Sequence, residues 1–372
     1  MVSMPEVSNL EATISLGWKA AAYLWRSFTC SHTVGLVYDT INVLYPEGKP
    51  RPRHIVTYHT GFGWTLKYCL TPGCSFEDLL QKQGHLNDAC RHFVDIERDS
   101  AGYVLINVYE GWLKSYYPYE LLGDRGSMSL PIPIGYSAQG LEWYDLASAP
   151  HMLIAGESGK GKSNFLHGLI RALLPVAAVC VLDMKRLEYA YFGDRIRLAE
   201  TEADGLKLLQ AINQEMGRRI PLLKAAGCVN IQEYQGNEMP YLVLVIDEYA
   251  ELRDKRILEI IERLVRLARA VGISVVAATQ RPSSSVIDGD TKALFDARLC
   301  FRVADGINSR MVLGEHCSAA AYLPDIKGRA IFRGADRDKV VQTLHLPISQ
   351  ARKILPEEVI RFEPEPAKAI PV

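Results

Sequence analysis

The stretch His151–Ser163, with the sequence HMLIAGESGKGKS, decides the fold that we predict for this chain. Its apolar residues Met152–Ala155 predict a short buried strand. Gly156–Ser163 then fits the pattern G-x-x-x-x-G-K-[ST] without a mismatch, and Asn164–Leu174 continues as an apolar, helix-forming run. A strand, a glycine-rich loop and a helix in this order predict a phosphate-binding P-loop rather than an ordinary surface loop.

The residue types of this loop suit nucleotide phosphates. Its glycines allow backbone N–H groups to point inward, and the N-terminus of the following helix adds further unpaired N–H groups. Lys162 can reach the β- and γ-phosphates, and the Ser163 hydroxyl can bind Mg²⁺. We therefore expect the triphosphate of a nucleotide and Mg²⁺ as ligands, and the family resemblance described below makes the nucleotide ATP. The expected nucleotide-binding residues are Gly156, Glu157, Ser158, Gly159, Lys160, Gly161, Lys162, Ser163 and Asn164.

Two carboxylates follow a second buried strand. The run Tyr241–Ile246 is continuously apolar and leads directly into Asp247 and Glu248. Asp247 is expected to hold the metal opposite Ser163, and Glu248 to polarise the attacking water. An apolar run that ends in two acidic residues is a weak signal alone, but a complete P-loop upstream makes it strong.

Three more polar residues are candidates for the same site. Gln280 follows the apolar run Ile273–Ala278, where it can contact the γ-phosphate or the attacking water. Arg298 and Arg310 are candidates for a charge donated across a subunit interface, because a guanidinium binds phosphate oxygens bidentately. The sequence does not choose between these two arginines, and an ordinary salt bridge is an equal alternative for either.

The second half of the chain alternates strands and helices, which is typical of a parallel sheet flanked by helices. Arg329–Phe332 is predicted to be its last strand, and the Pro- and charge-rich tail from Pro347 is predicted to be poorly ordered. The other predicted elements are strands at Val176–Leu182 and Arg298–Val303 and helices at Thr201–Cys228 and Glu251–Ala270.

A small α+β domain with the order ββαββ is predicted upstream. Ile55–Thr60 and Trp64–Leu70 form a predicted hairpin, a helix runs from Ser75 to about His92, and two strands follow at Phe93–Glu97 and Tyr103–Val108. The expected domains are a helical segment at 1–50, the α+β domain at 51–128, an ATPase domain at 129–346 and the tail at 347–372.

Composition limits the function classes. The 372 residues carry a formal net charge of -1, so no strongly basic surface indicates nucleic acid, although a narrow basic pore is compatible with this charge. Eight scattered cysteines favour a reduced, cytoplasmic compartment.

Leu10–Ser27 is predicted to be a helix that packs on its own domain or docks a partner. Its Lys19 and Arg26 argue against a membrane span.

Together these motifs resemble the motor domain of the FtsK/SpoIIIE DNA translocases, in the HerA–FtsK branch of RecA-like P-loop ATPases. The resemblance extends from about Pro131 to Gly334. It is carried by Leu130–Asn164, by LDMKRLE at Leu182–Glu188, EMGRRIPLL at Glu215–Leu223, VIDEYAEL at Val245–Leu252, ARAVGISVVAATQRP at Ala268–Pro282 and ARLCFRVADGINSRMVLG at Ala297–Gly314.

The resemblance implies a RecA-like fold and a ring, usually a hexamer, that hydrolyses ATP between subunits and moves double-stranded DNA through its pore. It makes Lys162 and Ser163 ligands of nucleotide and Mg²⁺, Asp247 and Glu248 the Walker B pair, and Gln280 the sensor. Long family members also carry membrane helices and a winged-helix module, which this sequence does not show. It therefore resembles the short soluble forms of conjugative elements, with a membrane transfer apparatus or a relaxase as a partner.

Three functions are compatible with these sequence features. The first is a double-stranded DNA translocase, in which the loop Arg281–Lys292 lines the pore and Lys292 contacts DNA, with a plain surface loop as the equal alternative. The second is a partner-gated ATPase that couples to a transfer or secretion apparatus without moving along DNA. The third, a metabolic kinase or GTPase, is weaker, because the sequence has no N-K-x-D signal and Glu248 beside Asp247 suits water attack.

Overall fold

A computed structural model describes residues 32–60, 63–109, 113–119, 125–138, 140–186, 188–236, 238–280, 282, 287, 289–334 and 338–363. The helix predicted at Leu10–Ser27 lies outside these residues. The chain divides into two compact units, Met1–Glu110 and Gly111–Val372. Within the described ranges, no helix has the length and apolar character needed to cross a membrane.

The first unit is a four-stranded antiparallel sheet with helices, as the ββαββ pattern predicts. Its strands pair in the order β1-β2-β4-β3. The helix predicted from Ser75 to His92 is two helices that meet at Lys82, and the Ser75 side chain caps the first by accepting from the Asp78 N–H. The elements are α1 His32–Leu44, β1 Arg53–Thr60, β2 Gly63–Cys69, α2 Phe76–Gln81, α3 Gln83–Cys90, β3 Phe93–Arg98 and β4 Val104–Tyr109.

Helix α1 belongs to the core of this unit. Val34, Val37 and Ile41 recur at helical spacing and are buried against strand residues such as Leu66 and Ile106. The apolar face of α1 therefore covers one face of the sheet, which a small antiparallel sheet needs in order to be stable.

The second unit is a ten-stranded sheet flanked by helices. Its strands are β5 Pro131–Ser137, β6 Gly140–Asp145, β7 His151–Ala155, β8 Ala178–Leu182, β9 Arg197–Ala199, β10 Leu242–Ile246, β11 Ile273–Thr279, β12 Ala297–Phe301, β13 Arg329–Arg333 and β14 Asp338–Gln342. Its helices are α4 Lys162–Leu173, α5 Glu202–Ala225, α6 Lys255–Leu267, α7 Gly289–Ala293, α8 Gly306–Leu313 and α9 Ile348–Ala351.

The strand order of this sheet is β6-β5-β14-β13-β12-β7-β11-β10-β8-β9. The run from β12 to β9 is parallel throughout, and the strands from β13 to β6 pair antiparallel. The central strands β7, β8, β10 and β11 are buried along their whole length, because helices cover both faces of a parallel sheet. The residues that follow these strands all reach the same edge of the sheet.

Three sequence-based predictions are wrong in detail. Strand β14 follows the segment predicted as the last strand, and it pairs with β5 as well as β13. The described part of the tail packs within the second unit: Ala351 is buried, and the Ile360 N–H donates to the Leu174 carbonyl at 3.2 Å. The helix predicted at Glu251–Ala270 is shorter, because Asp254 caps its start and Gly272, with a φ of 73°, follows the short 3₁₀ turn at its end.

Candidate active site

The P-loop connects the end of β7 to the start of α4. Gly156, Gly159 and Gly161 have φ values of 150°, 76° and 123°, which favour glycine. Packing also requires a glycine at position 156, because a β-carbon there would lie only 2.5 Å from the Phe301 Cβ on β12. At Gly161 a β-carbon would lie 3.0 Å from the backbone nitrogen of Gly328. The glycines of the motif thus serve both loop conformation and close packing.

Lys162 lies at the first position of α4 and is buried. Its ammonium group donates to the carbonyls of Gly156 and Glu157, the latter at 2.9 Å. Burial lowers the pKa of Lys162 to about 8, and the nearby carboxylates of Glu248 and Asp247 oppose that shift. The Lys162 ammonium therefore lies in a dry setting, where a positive charge interacts strongly with phosphate oxygens.

Lys160 and Asn164 are held by contacts with other segments of the protein. The Lys160 ammonium pairs with Asp325 at 2.6 Å, and the Lys160 carbonyl accepts from the Gly328 N–H at 2.8 Å. The Asn164 side chain donates to the Leu344 carbonyl at 2.7 Å and accepts from the Leu346 N–H at 2.9 Å. In this structure the side chains of Lys160 and Asn164 fix neighbouring segments to the loop. Ser163 is half-buried in the first turn of α4.

Asp247 and Glu248 lie at the end of β10 and are almost wholly buried, with 3% and 5% of their surface exposed. Asp247 accepts from the Tyr189 hydroxyl at 2.9 Å. Glu248 Oε1 accepts from the Gln280 N–H at 2.9 Å, whereas Oε2 accepts no hydrogen bond from the described residues. One oxygen of Glu248 is thus fixed by the backbone, and the other can accept a proton from water.

Lys185 is the counter-charge of this acidic pair. Its Nζ lies 3.4 Å from Asp247 Oδ2 and 3.7 Å from Glu248 Oε2. Burial lowers the pKa of Lys185, but the two carboxylates raise it overall, so the ammonium form is favoured. Asp183, wholly buried at the end of β8, accepts from the N–H groups of Lys185 and Arg186 at 3.1 Å each and thereby fixes the turn that carries Lys185.

Tyr189 is a site residue that sequence reasoning missed. It is wholly buried, and burial raises the pKa of its hydroxyl well above the usual value, so the hydroxyl stays protonated and donates a hydrogen bond to Asp247. A tyrosine between apolar residues has no sequence feature that separates this role from packing. Its position one residue after the LDMKRLE stretch is the one signal that could have pointed to it.

The structure places Gln280 beside Glu248, whereas the Arg298 side chain is bound to backbone carbonyls. Gln280 directly follows β11, where its backbone holds Glu248. The Arg298 guanidinium donates to three carbonyls of its own unit, those of Phe295, Lys292 and Val312, at 3.3, 3.2 and 2.9 Å. Arg310 is half-buried on α8. Lys162, Asp247, Glu248 and Gln280 therefore meet at one edge of the sheet, whereas Arg298 is engaged elsewhere.

Comparison with known proteins identifies the domain around this site. The sequence model of the FtsK/SpoIIIE family matches residues 123–284. The chain is similar to the DNA translocase FtsK of Chlorobaculum tepidum, with 37% identity over 215 residues, which are 51% of this chain and 27% of that protein. It is 33% identical to the DNA translocase FtsK of Streptococcus pneumoniae over 252 residues, 61% of this chain and 32% of that protein. Each match thus covers less than a third of the relative.

Solved structures show the same fold. The pCW3 conjugation coupling protein TcpA, solved as a monomer with ATPγS, superposes with a TM-score of 0.61 at 24% identity, over 86% of this chain and 97% of that chain. The cytoplasmic domain of the type VII secretion ATPase EccC of Thermomonospora curvata has a TM-score of 0.56 at 22% identity, over 67% of this chain and 34% of that chain.

Proposed function

We propose that this chain is an ATP-driven motor that moves double-stranded DNA. The premise is that it is a P-loop ATPase with an FtsK/SpoIIIE-type domain at residues 123–284. The observation that carries the proposal is the arrangement of Glu248: one carboxylate oxygen accepts from the Gln280 N–H, and the other is buried and accepts no hydrogen bond from the described residues. Such a carboxylate beside a P-loop suits hydrolysis of ATP better than transfer of the phosphoryl group to a second substrate.

In the proposed reaction, the P-loop N–H groups and Lys162 bind the triphosphate. Ser163 and Asp247 offer the oxygen ligands that Mg²⁺ prefers. When bound, Mg²⁺ would neutralise the negative charge that develops on the phosphates. Glu248 accepts the proton of the attacking water. Tyr189 and Lys185 hold Asp247 in place from two sides, at 2.9 and 3.4 Å.

Arg310 is the proposed charge donated to a neighbouring subunit in a ring-shaped assembly, for which a hexamer is our expectation. Arg298 is less suited, because its guanidinium already donates to three backbone carbonyls. Mixing a Lys162→Ala variant with an Arg310→Ala variant tests this role. We expect the mixture to recover part of the hydrolysis that neither variant shows alone, and no recovery would exclude donation between subunits.

Binding of double-stranded DNA is proposed from the similar proteins, which are named DNA translocases. A motor that follows a duplex needs only a few phosphate contacts per subunit, so a net charge of -1 is compatible with it. The loop Arg281–Lys292 follows Gln280 in the sequence, and we propose that it contacts the DNA. Lys292 itself lies in α7 and is half-buried.

Displacement of a third DNA strand from a long linear duplex tests movement directly. We expect the wild-type protein to displace the strand in the presence of ATP and Mg²⁺, and the Glu248→Gln variant to bind the same duplex without displacing the strand. Duplex binding and ATP hydrolysis by the wild type without any displacement would contradict the proposed movement.

The second function we consider is a partner-gated ATPase that couples to a transfer apparatus. The fold likeness to a conjugation coupling protein, over 97% of that chain, favours it. In both cases we propose a cytoplasmic protein that a membrane transfer apparatus or a relaxase recruits. The two functions differ in one measurable respect: only the translocase should hydrolyse ATP faster when duplex DNA alone is added.

A further inference from the structure

Strand β1 lies at an edge of the four-stranded sheet in the first unit. It pairs with β2 on one side, and no other described strand pairs with it on the opposite side. With 8 residues, it is the longest strand in the described part of the chain. A long edge strand is a template for a further strand, and proteins commonly blunt it with charges, prolines or bulges.

The features that blunt β1 are confined to its start. Arg53 is charged, and a register shift between His54 and Val56 leaves Ile55 as a bulge in the pairing with β2. The open half of β1, Val56–Thr60 with the sequence VTYHT, contains no lysine, arginine, carboxylate, proline or glycine. Valine, threonine and tyrosine favour strands. This half of β1 is therefore suited to pair with another segment.

The side chains of β1 leave much apolar surface in contact with water. Ile55, Val56 and Tyr58 are 43%, 41% and 43% exposed, whereas Leu66 on the neighbouring strand β2 is wholly buried. Val56 and Tyr58 are two residues apart, so they lie on the same face of the sheet. A strand added beside β1 would cover part of this apolar surface with its own side chains.

Contacts with α1 and β2 already order β1. The Tyr38 hydroxyl lies 2.7 Å from both His54 Nε2 and Thr57 Oγ1, and the last two atoms are 2.8 Å apart. The His54 ring also contacts the Tyr68 ring edge-on, with ring centres 5.3 Å apart. Because the strand is fixed before a partner arrives, little conformational entropy is lost from β1 on binding.

Three cations precede the open half of β1. Lys49, Arg51 and Arg53 are exposed, and none of them forms a salt bridge with a described residue. The two prolines between them stiffen this segment. The Arg51 carbonyl accepts from the Thr71 hydroxyl at 2.8 Å, which holds the segment to the end of β2. This positive charge at the start of β1 complements carboxylates on an incoming segment.

We propose that β1 is a docking strand for a partner protein, which adds an extended segment along Val56–Thr60 and places acidic residues beside Arg51 and Arg53. In this mode of recognition, main-chain hydrogen bonds supply affinity and side chains supply specificity. Phosphates of DNA or of anionic lipids would also attract the cations, but they offer no main chain to pair with β1. Since β1 lies in the first unit, the inference does not depend on the proposed motor.

Fluorescence anisotropy of labelled synthetic peptides, added to the full chain at low salt, tests this docking strand. The peptide TVTVTEDE places its acidic end beside Arg51 and Arg53 when it pairs antiparallel to β1, and EDETVTVT does so when it pairs parallel. The control peptides are TVTVTKKK, which reverses the charge, and TVPVPEDE, whose prolines remove main-chain donors. We expect the better of the two acidic peptides to bind at least about tenfold more tightly than either control.

Variants of the chain test the same contacts from the other side. Arg51→Glu combined with Arg53→Glu should weaken binding of the acidic peptide about tenfold and strengthen binding of the lysine peptide. Tyr58→Lys places a charge in the open half and should also weaken binding. The matched control, Lys255→Glu combined with Arg263→Glu, reverses two exposed cations on α6 and should bind like the wild type. Amide hydrogen exchange in β1 of the wild type should slow when the acidic peptide is added.

Equal binding of the acidic and lysine peptides would overturn the inference, and so would no binding of either acidic peptide. Slower exchange only outside the first unit would contradict the assigned place. Self-association of the wild type that Tyr58→Lys abolishes would assign the strand to a second copy of this chain instead of a partner. Binding to phosphatidylserine vesicles that the double glutamate variant loses, without binding of the acidic peptides, would assign the cations to a membrane surface and refute the docking strand.

Discussion

Asp247 and Glu248 are each oriented by a group that their own motif does not contain. The Tyr189 hydroxyl donates to Asp247, and the Gln280 N–H donates to Glu248, both at 2.9 Å. Partners of this kind commonly decide the orientation and basicity of a metal-binding carboxylate. The activity of the site should therefore be sensitive to the Tyr189 side chain, which acts through Asp247.

Removing the Tyr189 hydroxyl should weaken the site without disturbing the fold. We expect Tyr189→Phe to lower ATP hydrolysis, or to raise the Mg²⁺ concentration needed for half-maximal rate, by about 10-fold. The matched control is Tyr191→Phe, which removes a hydroxyl that hydrogen-bonds His167 at 3.0 Å rather than Asp247. Steady-state hydrolysis across a Mg²⁺ titration separates the two, and equal behaviour of both variants would contradict the role given to Tyr189.

Helix α5 is fixed by Arg219, a buried arginine within the EMGRRIPLL stretch. Arg219 is 1% exposed and pairs with Glu215 at 2.7 Å. The same guanidinium donates to the Val271 carbonyl at 2.9 Å and the Pro240 carbonyl at 2.8 Å. These contacts connect α5 to the starts of β10 and β11, so this part of the stretch has a structural role.

Truncating this arginine should cost much of the stability of the second unit. We expect Arg219→Met to lower the free energy of unfolding by about 2–4 kcal/mol, because the Val271 and Pro240 carbonyls then lose their donor, whereas Glu215 keeps its hydrogen bonds from Arg218. Arg256→Met is the control: Arg256 pairs with Asp254 at 2.6 Å on an exposed surface, and its loss should cost at most about 1 kcal/mol. Urea unfolding measures both, and equal costs would refute the argument.

The sequence was sufficient for the elements whose signal is local. The parallel strands are continuous apolar runs because both faces are covered, and the P-loop and the acidic pair are contiguous motifs. Strand β14 was missed because its neighbours in the sheet, not its short and partly polar sequence, hold it in place; Asp338 there pairs with Arg333 of β13. Tyr189 was missed for the same reason, since its partner Asp247 is 58 residues away.

The chain consists of two units with separate cores. The core of the first is built from α1 and its sheet, and that of the second from the ten-stranded sheet and the helices around it. Lys162, Asp247, Glu248 and Gln280 all lie in the second unit.

The second unit should therefore fold alone. We expect a fragment of residues 111–372 to unfold cooperatively on heating and to bind ATPγS with a Kd within about threefold of the full chain, since its core and site are self-contained. Circular dichroism and calorimetry measure the two properties. A fragment that is unfolded, or that has lost nucleotide binding, would show that the site depends on the first unit.

We propose that ATP hydrolysis assisted by Glu248 is coupled to duplex DNA. The most direct measurement is steady-state ATP hydrolysis by the purified protein, with and without long linear duplex DNA, for the wild type, Lys162→Ala and Glu248→Gln. We predict that DNA strongly stimulates the wild type and that both variants lose at least about 100-fold of the stimulated rate. Hydrolysis that depends on Glu248 but is indifferent to DNA would contradict the translocase and favour the partner-gated ATPase.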